Sequence, residues 1–116
     1  MFGEFLISLR SKYGVKQYQL AKQIGVSAPY LSDLERNRRN PPSYELLKKI
    51  QSALGLSTDE SNMLFDFAAK YNETTPYDIA QYIKDFPTVA KIIRYGKKYN
   101  YTAREWERIL RELRYD

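Results

Sequence analysis

Gln17-Tyr18-Gln19-Leu20-Ala21-Lys22-Gln23-Ile24-Gly25-Val26-Ser27-Ala28-Pro29-Tyr30-Leu31-Ser32-Asp33-Leu34-Glu35-Arg36-Asn37-Arg38-Arg39-Asn40-Pro41-Pro42 reads as two short helices around a tight turn, followed by a basic loop. A sharp turn needs a left-handed residue, and Gly25 supplies it without the clash a Cβ would cause. Ser27 is a good N-cap for the second helix, and Pro29 falls in the first turn, where a missing N–H costs little. Leu20, Ala21 and Ile24 form the inner face of the first helix, and Leu31 with Leu34 that of the second. Val26 plugs the turn. Left outward are Ala28, Pro29, Tyr30, Ser32 and Asp33, with Arg36, Arg38 and Arg39 just beyond.

The same signals continue on both sides. Phe2, Phe5, Leu6, Leu9 and Tyr13 recur at helical spacing over residues 2–13, and Gly14 ends that run. Asn40-Pro41-Pro42 cannot continue a helix. Ser43 then caps one over 44–54 that carries Leu46, Leu47, Ile50 and Leu54. Ser57 with Glu60 makes a capping box for a fifth helix, striped by Met63, Leu64, Phe67, Ala68 and Tyr71.

Three more amphipathic helices are expected after Asn72-Glu73-Thr74-Thr75-Pro76. Thr75 caps one begun by Pro76, with Ile79, Ala80 and Ile83 inward; Pro87 opens another, with Val89, Ile92 and Ile93 inward. Thr102 caps the last, with Trp106, Ile109, Leu110 and Leu113 inward. No alternating strand pattern survives this reading, so the fold class is all-α.

The run from Gln17 through Leu20-Ala21, Ile24-Gly25-Val26-Ser27, Leu31-Ser32, Leu34-Glu35, Asn37 to Pro41 and Leu46 to Leu56 resembles the lambda-repressor-like (Cro/C1, or XRE) helix-turn-helix family. The match covers about residues 1–56. It implies a five-helix DNA-binding domain that acts as a dimer, usually in a transcriptional repressor. The expected division is therefore 1–72 as the DNA-binding domain and 73–116 as a short three-helix C-terminal segment.

The resemblance also implies site residues. Gln17 matches the glutamine that grips a phosphate, and Ser27, Ala28, Pro29, Tyr30 and Asp33 match positions that face base edges and flanking phosphates, with direct reading by this helix resting on Tyr30, Ser32 and Asp33. Ala28 and Pro29 depart from the polar residues most familiar there; they can touch a thymine methyl and little else. Weight then shifts to Arg36, Asn37, Arg38, Arg39 and Asn40. Arginine's planar fork suits either a phosphate or the O6/N7 edge of guanine, and both remain open for Arg38 and Arg39. Arg36 has a local alternative in pairing with Asp33 or Glu35, and the family uses an acid at Glu35 to hold the following loop.

Charge agrees with this layout. Residues 1–55 hold nine Lys/Arg against four Asp/Glu, residues 56–75 one against four, and residues 76–116 nine against six. The largest basic excess thus lies on the proposed reading head, where counterion release would supply affinity that falls with salt. The absence of cysteine and histidine removes disulfides, thiol nucleophiles, the common zinc sites and imidazole catalysis. Glu105 with Glu107, and Asp78 with Asp85, match no acid-base or metal spacing, so neither enzyme activity nor a cofactor or metal is expected. Eleven tyrosines fall on helical stripes and helix ends rather than on a sheet platform for single-stranded bases.

No run of about 18 apolar residues is present, and Met1–Arg10 lacks a basic start; a soluble cytoplasmic chain without membrane partners is expected. Three short amphipathic helices bury little alone. Residues 76–113 are expected to complete either a dimer, with Ile92, Ile93, Trp106, Ile109 and Leu110 near the contact, or the intrachain core. A rival from another class is an antitoxin-type module whose helices over 76–116 bind a toxin or effector.

Overall fold

The computed structural model describes residues 1–114, and within them every regular element is an α-helix. They are α1 (Phe2–Tyr13), α2 (Gln17–Ile24), α3 (Ala28–Glu35), α4 (Tyr44–Leu54), α5 (Thr58–Asn72), α6 (Tyr77–Asp85), α7 (Pro87–Lys98) and α8 (Ala103–Leu113). The all-α class holds. No helix of the described residues is long and apolar enough to cross a membrane.

Helix starts follow local chemistry. Ser27, Ser43, Ser57 and Thr102 each accept from a backbone N–H in the first turn of their helix. Those bonds satisfy donors that a helix leaves orphaned at its N-terminus. Between α2 and α3, Gly25 stands at φ 75° and ψ 33°. An alanine there would be strained by its own Cβ. One start moves: α6 begins at Tyr77, and the Pro76 carbonyl accepts from Ala80 N. Pro76 therefore occupies the cap that was expected of Thr75.

The chain divides into two compact units, Met1–Ala80 and the part from Gln81 onward. In the first, Leu6, Leu20, Leu31, Leu34, Leu47, Ile50 and Leu64 are wholly removed from solvent. Each represents about 1.5–3 kcal/mol of apolar burial. α5 is turned relative to the expected stripe: Leu64, Phe65, Ala68 and Ala69 are buried, whereas Met63 and Tyr71 are exposed. Tyr44 links the aromatic residues at this edge, with ring centroids 5.6 Å from Phe65 and 6.3 Å from Tyr77.

The second unit is built differently. Trp106 packs directly on the α7 backbone, since a Cβ on Gly96 would lie 2.1 Å from the indole. Tyr101 lies tilted against Trp106, with centroids 5.3 Å apart, and edge-on to Tyr95 at 6.0 Å. Beyond this aromatic hairpin, the expected inward positions are corrected. Ile92 and Ile93 on α7 and Leu110 and Leu113 on α8 are exposed, at 56% for Ile92, 53% for Leu110 and 75% for Leu113, as are Ile79 and Ala80 at the end of the first unit. Ile83, Val89, Trp106 and Ile109 are half-buried. Periodicity identifies which face is apolar, and it carries no information on what covers that face.

Candidate nucleic-acid interface

The outward face of α3 rests on a polar anchor beneath it. Glu35, the last residue of α3, is only 4% exposed. Its carboxylate takes a two-pronged grip from Arg10 of α1, Nε to Oε2 at 2.6 Å and Nη2 to Oε1 at 2.7 Å. Arg10 Nη1 also donates to the Val15 carbonyl at 3.1 Å, and Gln17 Nε2 donates to Glu35 Oε1 at 3.0 Å. A buried carboxylate is tolerated only when paired and hydrogen-bonded in this way. The result ties α1, the start of α2 and the end of α3 together, which fixes the angle at which α3 is presented. Glu35 thus holds α1 and α2, through Arg10 and Gln17, in place of the following loop expected from the family pattern.

That loop is held by Asn37 instead. α3 closes with Arg38 N donating to Asp33 O at 2.9 Å and Asn37 N to Leu34 O at 3.1 Å. This pattern needs a left-handed residue at the position after the cap, and asparagine is the commonest choice after glycine. Asn37 adopts φ 56°. Its amide then bridges to α1: Gly3 N donates to Oδ1 at 2.9 Å, and Nδ2 donates to Glu4 Oε1 at 2.9 Å. Glu4's own backbone N–H, and then this amide, hold its carboxyl below the usual range. Both ends of the Asn37 side chain are therefore used inside the protein. Of the residues expected to face DNA, this one positions its neighbours, because its amide is already engaged.

The remaining expected residues lie along α3, at its N-terminal tip and in the loop that follows it. Ser27, Ala28 and Pro29 form an exposed tip, with Ser27 Oγ accepting from Tyr30 N at 3.2 Å. Tyr30, Ser32 and Asp33 are half-buried along α3, and Arg36, Arg38, Arg39 and Asn40 are exposed. Pro41 and Pro42 are buried and fasten the far end of the loop. Arg39 folds back over α3: its guanidinium carbon lies 5.0 Å from the centroid of the Tyr30 ring, and its Nε lies 3.8 Å from Asp33 Oδ2. The partner of Asp33 is thus Arg39 rather than Arg36. Gln17 stands beside the same surface at the start of α2, half-buried, with one of its two amide hydrogens given to Glu35.

Of the residues expected in the second unit, Ile92, Ile93 and Leu110 lie open to solvent, and Trp106 and Ile109 are half-buried. Arg10, Gly3 and Glu4 were not singled out from sequence. The signal for Arg10 was present: an acid at the end of an otherwise buried helix face requires a cation. No group of His, Cys, Asp and Glu among the described residues could hold a metal ion.

Residues 6–61 match the family model described as helix-turn-helix. The immunity repressor protein of Bacillus phage phi105 is 31% identical over 87 residues, which cover 72% of this chain and 60% of that protein. The chain spans about half the length of other curated relatives, such as the regulator SinR of Bacillus subtilis (strain 168). Among solved structures, the clp gene regulator ClgR from Corynebacterium glutamicum is similar with a TM-score of 0.50 and 30% identity, over 82% of this chain and 88% of that one. The SinR protein/SinI protein complex is similar with a TM-score of 0.50 and 25% identity, over 88% of this chain and all of that one.

Proposed function

This chain belongs to the helix-turn-helix family of DNA-binding transcriptional regulators, a family of non-enzymatic proteins, and from that premise we propose that it is a sequence-specific repressor that binds a palindromic operator as a dimer. The observation that carries the reading is the single surface formed by α3 and the Arg36–Asn40 loop, held from beneath by Glu35 and Asn37. Gln17, Ser27, Arg36 and Arg38 grip phosphates; Ala28 and Pro29 offer thymine methyls a contact; Tyr30, Ser32, Asp33 and Arg39 serve base edges. Binding would occur in the cytoplasm.

One such head reads only a few base pairs. Two heads about one helical turn apart, roughly 34 Å, read two half-sites and gain from the raised effective concentration of the second. Residues 73–116 serve this pairing, with Ile92, Ile93, Trp106, Ile109 and Leu110 at or near the contact; Tyr115 and Asp116 lie outside the described residues. The open apolar faces of α7 and α8 support that role. Selection from a random double-stranded library in defined salt tests the whole reading. A repeated half-site at fixed spacing is expected, and failure to enrich any sequence would refute it.

The same open faces favour a second reading, in which the helices over 76–116 hold a toxin or other protein partner and DNA binding is autoregulatory. The solved complex of SinR with SinI is a similar protein bound to another. Sedimentation of the purified full chain separates the two: a homodimer supports the first, and a monomer that becomes a heterodimer with a co-purifying chain supports the second.

A further inference from the structure

The tip of α3 carries Ala28 and Pro29, neither of which can hydrogen-bond to a base through its side chain. Hydrogen-bonding groups follow this tip, and three of them, on Tyr30, Asp33 and Arg39, form one cluster. Tyr30 packs against the hydrophobic core. Arg39 covers its ring at 5.0 Å, and Asp33 draws the guanidinium Nε to 3.8 Å. Arg36 and Arg38 have neither an ion-pair partner nor a ring beneath them among the described contacts.

This difference separates two kinds of contact. A phosphate accepts a cation from many directions, so a free, mobile arginine serves it well. A guanine edge requires two parallel N–H groups in one plane, and a guanidinium already held flat forfeits less freedom on meeting it. The Tyr30 ring lies beneath the guanidinium carbon and the Asp33 carboxylate lies 3.8 Å from Nε, which leaves the Nη groups for O6 and N7. We propose that Arg39, seated over the Tyr30 ring and ion-paired with the positioning residue Asp33, is the guanine-reading residue of this chain, whereas Arg38 serves the phosphate backbone.

The proposal rests on the DNA-binding function above, and the test distinguishes the two. Random double-stranded libraries are selected with the full-length wild type and with Arg39→Ala, Arg39→Lys, Arg38→Ala and Tyr30→Phe. Binding to the wild-type site and to the same site with one guanine pair replaced is then titrated at several salt concentrations. The wild type should enrich a fixed guanine in each half-site. Arg39→Ala and Arg39→Lys should lose about tenfold or more of the preference for that guanine, leaving other positions intact. Arg39→Lys keeps the charge, so its loss of preference distinguishes base reading from charge alone. Arg38→Ala should keep the guanine and make the log–log salt slope shallower by about 0.9, the share of one phosphate. Tyr30→Phe keeps the ring beneath Arg39 and should retain the fixed guanine, while any preference that depends on the Tyr30 hydroxyl is lost at other positions. An unchanged motif in both Arg39 variants, with a shallower salt slope for Arg39→Ala alone, overturns the proposal while leaving the DNA reading standing. A wild type that enriches nothing overturns both.

Discussion

Residues 1–80 and the residues from Gln81 to Arg114 are written in one sequence style, capped amphipathic helices with an apolar stripe, yet they end in opposite states. In the first unit the stripes close on one another, and Leu6, Leu31 and Leu47 lose all contact with solvent. In the second, a Gly96–Trp106 contact and a few stacked tyrosines join α7 to α8, while Ile92, Ile93 and Leu110 stay open. The difference teaches that an amphipathic pattern specifies a face to be covered, and that the covering surface need not come from the same chain. The head is cross-bonded internally, and the tail leaves an apolar surface exposed.

Breaking the head at its buried ion pair should have the largest effect. Arg10→Ala strands Glu35 without its two-pronged partner, and a loss of about 3–5 kcal/mol is expected in urea unfolding. Leu31→Ala should cost about 2–5 kcal/mol by the same measurement. Its counterpart in the tail, Leu110→Ala, should cost less than about 1 kcal/mol at dilutions where the chain is monomeric. The loss should rise with protein concentration if Leu110 is covered by a second copy, since association stabilises by mass action. A concentration-independent loss as large as that of Leu31→Ala would erase the distinction drawn between the two units.

Gly96→Ala sharpens the comparison from the tail side. The new Cβ would meet the indole at 2.1 Å, and overpacking of this kind costs about 1–3 kcal/mol. Trp106 is the single tryptophan of the chain, so its fluorescence reports the tail alone. A shifted tryptophan signal with unchanged thermal unfolding of the head is expected.

The smallest effect is at Glu60, where the Lys12 ammonium beside it, then the Tyr13 hydroxyl and the Ser57 backbone N–H, hold the carboxyl down to about 2. A depressed folded-state value means the stabilisation is present above the unfolded carboxylate value of about 4.3 and is lost as pH falls toward about 2. Thermal midpoints of wild type and Glu60→Gln should differ slightly at pH 6 and converge near pH 2.

Much of this fold is legible because helix boundaries are local chemistry. Ser27, Ser43, Ser57 and Thr102 announce caps within three residues, and Gly25 announces the turn. The side-chain organisation of the interface is not local. Arg10 meets Glu35 across 25 positions of sequence, and Asn37 reaches back 34 positions to Gly3. The stack of Arg39 on Tyr30 depends on a loop turning back over its own helix, which no spacing rule encodes. The apolar pattern of α5 does not fix its inward face, because Met63 and Phe65 are both apolar and only packing decides that Phe65 is the buried one.

The most direct test of the central claim is the salt dependence of binding to a library-selected DNA site, compared between the wild type and the Arg38→Ala/Arg39→Ala variant. The wild type should lose affinity steeply as salt rises, and the double variant should bind more than tenfold more weakly with a shallower slope. Equal affinity and equal slope in the two proteins would contradict the assignment of DNA binding to the loop behind α3.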